Sequence, residues 1–86
     1  MSDVNDLVEM LENALYAEIE ARELLERAII DAYASGKING KNKEARDVQE
    51  KELTIANRHT HDIESANLEA VKARISLTKA FWYSQA

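Results

Sequence analysis

The sequence contains no cysteine and no proline, and its only two glycines, Gly36 and Gly40, lie in the segment 35–42. Without cysteine, the 86-residue chain has no disulfide and no thiolate metal site to stabilise it. Glycine readily takes the left-handed backbone conformation that ends many helices. We therefore expect the chain to turn back on itself in this segment.

A long apolar run is also lacking. No stretch approaches the roughly 18 apolar residues that a membrane-spanning helix needs. The N-terminal residues are acidic, and the apolar core of a signal peptide does not follow them. We therefore expect a cytoplasmic protein with no membrane partner. The length bounds the chain to one domain.

Basic side chains are scarce, and they concentrate near the turn. The net charge is −5, which argues against general nucleic-acid binding because phosphate contacts need a basic surface. Residues 1–35 carry nine acidic and two basic side chains, a balance of −7. Residues 36–51 carry five basic and three acidic side chains, a balance of +2. The turn is thus predicted to be a locally basic tip on an acidic molecule.

Two long segments flank the turn and predict an all-α fold. Apolar residues recur at spacings of three and four along both segments, as on one face of a helix. The expected N-cap of the first helix is Asp3, or Ser2 with a frayed first turn. Gly36 is its expected C-terminal cap, and Asn42 is the expected N-cap of the second helix. We predict a single-domain antiparallel hairpin over 1–86, with a helix over 3–35, a turn over 36–42 and a helix over 43–83.

Both predicted helices carry more apolar surface than a two-helix contact covers. The seam of the second helix that we expect to face the first comprises Ala45, Val48, Ile55, Ala56, His59, Ile63, Ala66, Ala70, Ala73, Leu77, Ala80 and Phe81. The remaining apolar surface predicts a homodimer that packs in coiled-coil fashion as a four-helix bundle. The predicted dimer interface consists of Met10, Ala14, Ala17, Ala21, Leu24, Leu68, Val71, Ile75 and Trp82.

The aromatic end of the chain, Phe81-Trp82-Tyr83, is expected to be buried in this bundle. The alternative is a partner-binding surface, because Trp and Tyr are common anchors of protein interfaces.

The two histidines raise the possibility of a metal-binding bundle. Neither is preceded at i−3 by glutamate, so the Glu-x-x-His pair of di-iron bundles is missing. His59 and Asp62 share a helix face and Glu18 lies opposite by rough register, which leaves a metal site as an alternative. The favoured interpretation has no metal and no cofactor. It places His59 at the seam, hydrogen-bonded to a glutamate or to its dimer mate, and His61 in solvent.

Catalytic patterns are missing. No serine lies in a nucleophile-elbow context, and the carboxylates of the first helix have the spacing of a solvated face. Chorismate mutase is a small helical enzyme of comparable shape, but its set of converging cationic side chains cannot be assembled here. We therefore predict that the chain is not an enzyme.

The turn is the candidate recognition site. It leads into a helix N-terminus flanked by cationic side chains, an arrangement that attracts anions. The predicted recognition tip consists of Lys37, Lys41, Asn42, Lys43, Arg46 and Gln49. The favoured interpretation of these charges is a solvated basic cap, and docking on an acidic protein surface or weak binding to nucleic acid is the alternative.

The pattern Gly40-Lys41-Asn42-x-x-x-Arg46-x-x-Gln49 resembles one in short, uncharacterised, all-helical phage and prophage proteins. These proteins often lie among replication and recombination genes, so the resemblance implies a phage accessory protein and no particular reaction. Secreted WXG-type hairpins have a similar shape, but they carry Trp-x-Gly in the turn, and this turn has no tryptophan.

These observations together predict a non-enzymatic interaction or accessory protein, plausibly of phage origin. It would act by protein–protein recognition as a homodimer, with another protein as its partner. The alternatives are a nucleic-acid-associated accessory factor that uses the basic turn, and a metal-binding bundle.

Overall fold

The computed structural model describes residues 4–85, which form three helices and no strand. Helix α1 spans Val4–Ala34, α2 spans Lys43–Leu53 and α3 spans Ile55–Gln85. The molecule measures 62 × 20 × 14 Å. Its long dimension is the combined length of α2 and α3, because roughly 42 helical residues extend about 63 Å. The predicted all-α class and the pairing of the helices are confirmed. The predicted N-cap at Asp3 lies outside the described residues.

Gly36 ends α1 in the manner expected of a Schellman cap. Its φ is +76°, in the left-handed region. The Lys37 N–H donates to the Ala32 carbonyl at 3.0 Å, and the Gly36 N–H donates to the Tyr33 carbonyl at 3.2 Å. These bonds satisfy carbonyls that the end of a helix leaves without partners. Ile38 follows the cap and is buried, with 6% of its surface exposed.

The contact between α1 and α3 forms the core of the hairpin. Ala14 of α1 is buried against Leu68 and Val71 of α3. Around this cluster pack the half-buried side chains of Met10, Leu11 and Ile75. Leu11 lies near Ile75, and Glu18 bonds to His61, so positions that rise along α1 meet positions that fall along α3. The two helices are therefore antiparallel.

The structure packs α1 against another apolar stripe of α3, formed by Leu68, Val71 and Ile75. Our prediction that the main seam faces α1 is therefore wrong. Leu68 and Val71 are buried, whereas the α3 part of the predicted seam is exposed. A physical reason is the alanine content of α1. A surface of small side chains leaves room for Leu and Val, which bury more apolar area than alanine does. The exposed residues are Ile55, Ala56, His59, Ile63, Ala66, Ala70, Ala73, Leu77, Ala80 and Phe81.

We predicted one uninterrupted helix over 43–83, but the structure has two helices there, α2 and α3. The second arm divides at Thr54, whose φ of −116° and ψ of 18° lie outside the helical range. The Thr54 N–H still donates to the Glu50 carbonyl at 3.1 Å, and its own carbonyl accepts from the Arg58 N–H at 2.9 Å. Thr54 thus ends α2 and begins α3 within a single residue.

Both glycines of the turn are predicted to be essential for stability, each for a different reason. Gly36→Ala places a Cβ at positive φ, whereas Gly40→Ala places a Cβ only 2.7 Å from the Cβ of Ala45. Each variant is expected to lower the free energy of unfolding by about 1–2 kcal/mol. Thermal or urea unfolding measures the loss. Lys41→Ala is a control in the same turn because the Lys41 side chain is exposed, and an equally large loss in that variant would contradict the explanation.

Candidate interaction surfaces

The basic turn is held in place by the side chain of Gln49. Its Oε1 accepts hydrogen bonds from the backbone N–H groups of Asn39 at 3.0 Å and Gly40 at 2.8 Å. Its Nε2 donates to Asn39 Oδ1 at 3.0 Å. One amide side chain on α2 therefore satisfies three polar groups of the loop that folds over it.

Two further side chains complete this turn. Arg46 Nη1 donates to the Gly40 carbonyl at 3.1 Å, and Asn42 Oδ1 accepts from the Ala45 N–H at 2.8 Å. The second bond is the N-cap of α2 that the sequence predicted. Gly40 lies so close to α2 that a Cβ would come within 2.9 Å of the Arg46 nitrogen. The loop and the first turns of α2 therefore form one packed unit.

The predicted recognition tip contains residues that hold the turn together and residues whose side chains are exposed. Asn42, Arg46 and Gln49 are engaged in holding the turn, whereas Lys37, Lys41 and Lys43 have exposed side chains. The matched pattern from Gly40 to Gln49 therefore contains three side chains with structural bonds and one glycine required by close packing. Sequence reasoning did not find the structural role of Gln49, because a loop-to-helix bond across nine or ten residues has no periodic signal.

We predict that substitutions separate these two kinds of residue. Gln49→Ala removes three hydrogen bonds and is expected to lower the free energy of unfolding by about 1–2 kcal/mol. Lys41→Ala removes an exposed charge and is expected to change it by less than about 0.5 kcal/mol. Urea unfolding compares the two variants with the native chain. A stable Gln49→Ala variant would show that the turn does not depend on this amide.

The junction between α2 and α3 contains a second polar cluster, centred on Thr54. Thr54 has 1% of its surface exposed, and it is the only polar or charged residue buried in the described part of the chain. Its Oγ1 donates to the Glu50 carbonyl at 2.6 Å and accepts from Arg58 Nε at 2.9 Å. A hydroxyl that bonds back to the i−4 carbonyl is a common companion of helix bends.

Glu50 links this junction to the end of α1. Its Oε1 pairs with Arg58 Nη2 at 2.9 Å, and its Oε2 accepts from the Tyr33 hydroxyl at 3.3 Å. Partial desolvation, and after it the negative charge and hydrogen bond of Glu50, raises the pKa of Tyr33 above its ordinary value. The four side chains therefore connect all three helices at one level of the hairpin.

Removal of the Thr54 hydroxyl is predicted to weaken this junction. Thr54→Val keeps the shape but leaves Arg58 Nε without its acceptor, and we expect the free energy of unfolding to fall by about 1–2 kcal/mol. Thr54→Ser keeps the hydroxyl and is the matched control, with a smaller loss from the missing methyl group. Thermal unfolding of both variants measures the difference. If valine proves as stable as threonine, the hydroxyl does not stabilise the junction.

The histidines exchange the roles that the sequence predicted for them. His61 Nε2 lies 2.9 Å from Glu18 Oε1 and 3.4 Å from Ser65 Oγ, at the partly buried contact of α1 with α3. His59 is exposed and belongs to the opposite side of α3. Glu18 does lie opposite the histidine pair, as expected, but it meets the other member. Within residues 4–85, no three metal-binding side chains of the His, Cys, Asp or Glu type come together.

Most of the predicted dimer interface lies inside the single hairpin. Seven of its nine residues are buried or half-buried there: Met10, Ala14, Ala17, Ala21, Leu68, Val71 and Ile75. The other two, Leu24 and Trp82, are exposed at 47% and 52%. The single hairpin therefore already buries much of the surface that the sequence assigned to a dimer contact.

The open end of the hairpin carries an apolar cleft of about 460 Å³ between the start of α1 and the end of α3. Leu7 and Leu11 line one side, and Ile75 and Trp82 line the other. Trp82 is nevertheless half exposed, and Phe81 and Tyr83 are exposed at 57% and 71%. The single hairpin thus leaves the aromatic end largely in solvent.

A regular apolar stripe also lies on the outside of α3. We call it the outer seam and define it by six exposed residues: Ile63, Ala66, Ala70, Ala73, Leu77 and Ala80. Their separations alternate between three and four, the heptad pattern of helices that pair side by side. On an ideal helix this seam lies about 180° from the stripe that packs on α1.

Comparison of the chain with protein-family models, curated proteins and solved structures gives no match. The resemblance of the turn to phage and prophage proteins therefore stays a prediction. Among the described helices, none combines the length and apolar character required to cross a membrane.

Proposed function

We propose that this chain is a non-enzymatic interaction protein that acts by protein–protein recognition as a homodimeric helical bundle. The observation that carries the proposal is the amount of apolar surface that the hairpin leaves exposed. Among the residues whose burial the structure describes, fifteen large hydrophobic side chains are exposed, whereas the buried apolar set consists of seven residues, three of them alanine. A core of this size is marginal for independent folding, and association is a common remedy in short chains.

The total surface supports the same proposal. The accessible area is 6579 Å², whereas a compact monomer of this mass would have about 5,100 Å². The excess of roughly 1,500 Å² is in the range that each partner of a permanent dimer buries, about 1,000–2,500 Å². An elongated hairpin that pairs with a second copy removes this excess from water.

The exposed lysines of the turn supply a second recognition element in this proposal. Lys37, Lys41 and Lys43 lie at the far end of the molecule from the aromatic residues. Their charge contrasts with the acidic α1, so they favour an acidic surface on a further protein partner. The proposal includes an accessory role in a phage, which the resemblance of the turn pattern implies.

We predict a dimer at micromolar concentration. Sedimentation equilibrium should give twice the chain mass, and the thermal midpoint should rise with protein concentration because dissociation and unfolding are coupled. A folded monomer with a concentration-independent midpoint would overturn the proposal. The Lys41→Ala variant is the control, since its exposed charge at the turn is not expected to affect self-association.

A further inference from the structure

We propose that the outer seam of α3 is the surface on which a second copy of this chain docks, with the two α3 helices antiparallel. The inference rests on the proposed homodimer and adds the surface, the orientation and the register. It is distinct from the interface expected from the sequence, most of which the hairpin itself buries.

The outer seam has a regular spacing. Its six residues occupy successive a and d positions of a heptad repeat, and all six are exposed in the hairpin. The pattern extends one position at each end, to His59 and Ser84, which are also exposed. A helix contact with this spacing follows the shallow left-handed crossing of coiled coils. The α1 helix cannot cover the seam, because it already packs on the opposite side of α3.

The order of large and small side chains along the seam favours one antiparallel register. Antiparallel helices place each a residue beside a d residue of the partner, so one register pairs positions whose numbers sum to 143. In that register both large side chains of the seam face an alanine, and two alanine pairs occupy the centre. Close packing favours this register because no layer holds two large side chains, so the widths of the layers differ less than in a register that stacks large on large. The layers pair Ile63 with Ala80, Ala66 with Leu77, and Ala70 with Ala73.

A parallel arrangement lacks this complementarity. It would place Ile63 on Ile63 and Leu77 on Leu77, with alanine on alanine in the four other layers. The Ile63 and Leu77 layers would hold the two helices apart, so the alanine layers between them would contain gaps. The antiparallel register also brings His59 beside Ser84, so that the polar ends of the seam meet each other.

The flanking charges are compatible with the antiparallel register. Side chains next to the seam would meet as Asn67 with Arg74 and as Glu69 with Ser76 of the second copy. Neither pair brings two like charges together, which would oppose association. The α1 helices, which carry most of the acidic residues, lie on the two outer sides of such a dimer. Their negative charges are thereby kept apart.

Engineered cysteines test the register, since the native chain contains none. Ile63→Cys and Ala80→Cys are prepared separately, mixed, unfolded, refolded together and oxidised. The expected result is a covalent dimer in the mixture and little in either variant alone. In the proposed register the two copies of residue 63 are about 26 Å apart, whereas a disulfide needs Cα atoms within roughly 7 Å. A mixture of Leu24→Cys and Ala80→Cys is the control for random collisions.

Two outcomes of this experiment overturn the proposal. Efficient cross-linking of Ile63→Cys with itself would indicate parallel helices. A mixture of Ile63→Cys and Ala80→Cys that links no better than the Leu24→Cys control would exclude the register.

A pair of glutamate variants tests the surface independently. Ala70→Glu puts a carboxylate at the centre of the seam and is expected to raise the dimer Kd by more than about a hundredfold. Leu24→Glu alters an exposed apolar site on α1 and is expected to leave the dimer intact. Helical circular dichroism at high concentration checks that each variant folds. If the native chain is a dimer and Ala70→Glu is equally dimeric, this inference fails while the proposed function stands. A monomeric native chain removes both.

Discussion

The structure depends on which of two apolar stripes of α3 packs against α1. The stripes lie on opposite sides of the helix, and one α1 helix can cover only one of them. The stripe with Leu68 and Val71 takes this place, opposite the small side chain of Ala14. The outer seam then remains in solvent. The packing of α3 on α1 therefore determines which apolar surface of α3 is exposed.

Hydrogen bonds at the junction of α2 and α3 help to fix the rotation of α3 about its own axis. Thr54 ends α2 and begins α3, and its hydroxyl connects Glu50 with Arg58. Glu50 also accepts from Tyr33 at the end of α1. These bonds are directional, whereas the apolar contact between long helices tolerates rotation and sliding. The cluster therefore adds a directional constraint to the apolar contact that α3, a helix of 31 residues, makes with α1.

The sequence predicted the elements better than it predicted their contacts. Gly36 and Asn42 carry strong local signals, and both cap the helices as expected. Thr54 gives no such signal, because threonine occurs inside helices and its hydroxyl interrupts one only with suitable partners. Periodicity identified both stripes of α3 but did not decide between them. That decision depends on the side chains of α1, and the exchange of His59 for His61 follows from the same cause.

The candidate recognition residues show why a short sequence pattern shared with other proteins is weak evidence for a shared function. Three of the six, Asn42, Arg46 and Gln49, bond to the turn itself. Any chain that must close a loop over the first turns of a helix in this way has a use for the same residues. A resemblance confined to the turn therefore implies a shared turn conformation before it implies a shared activity. Surface that is apolar, regular and exposed has no such structural use within the hairpin. Function is accordingly to be sought along α3, with the lysines of the turn as a separate charged end.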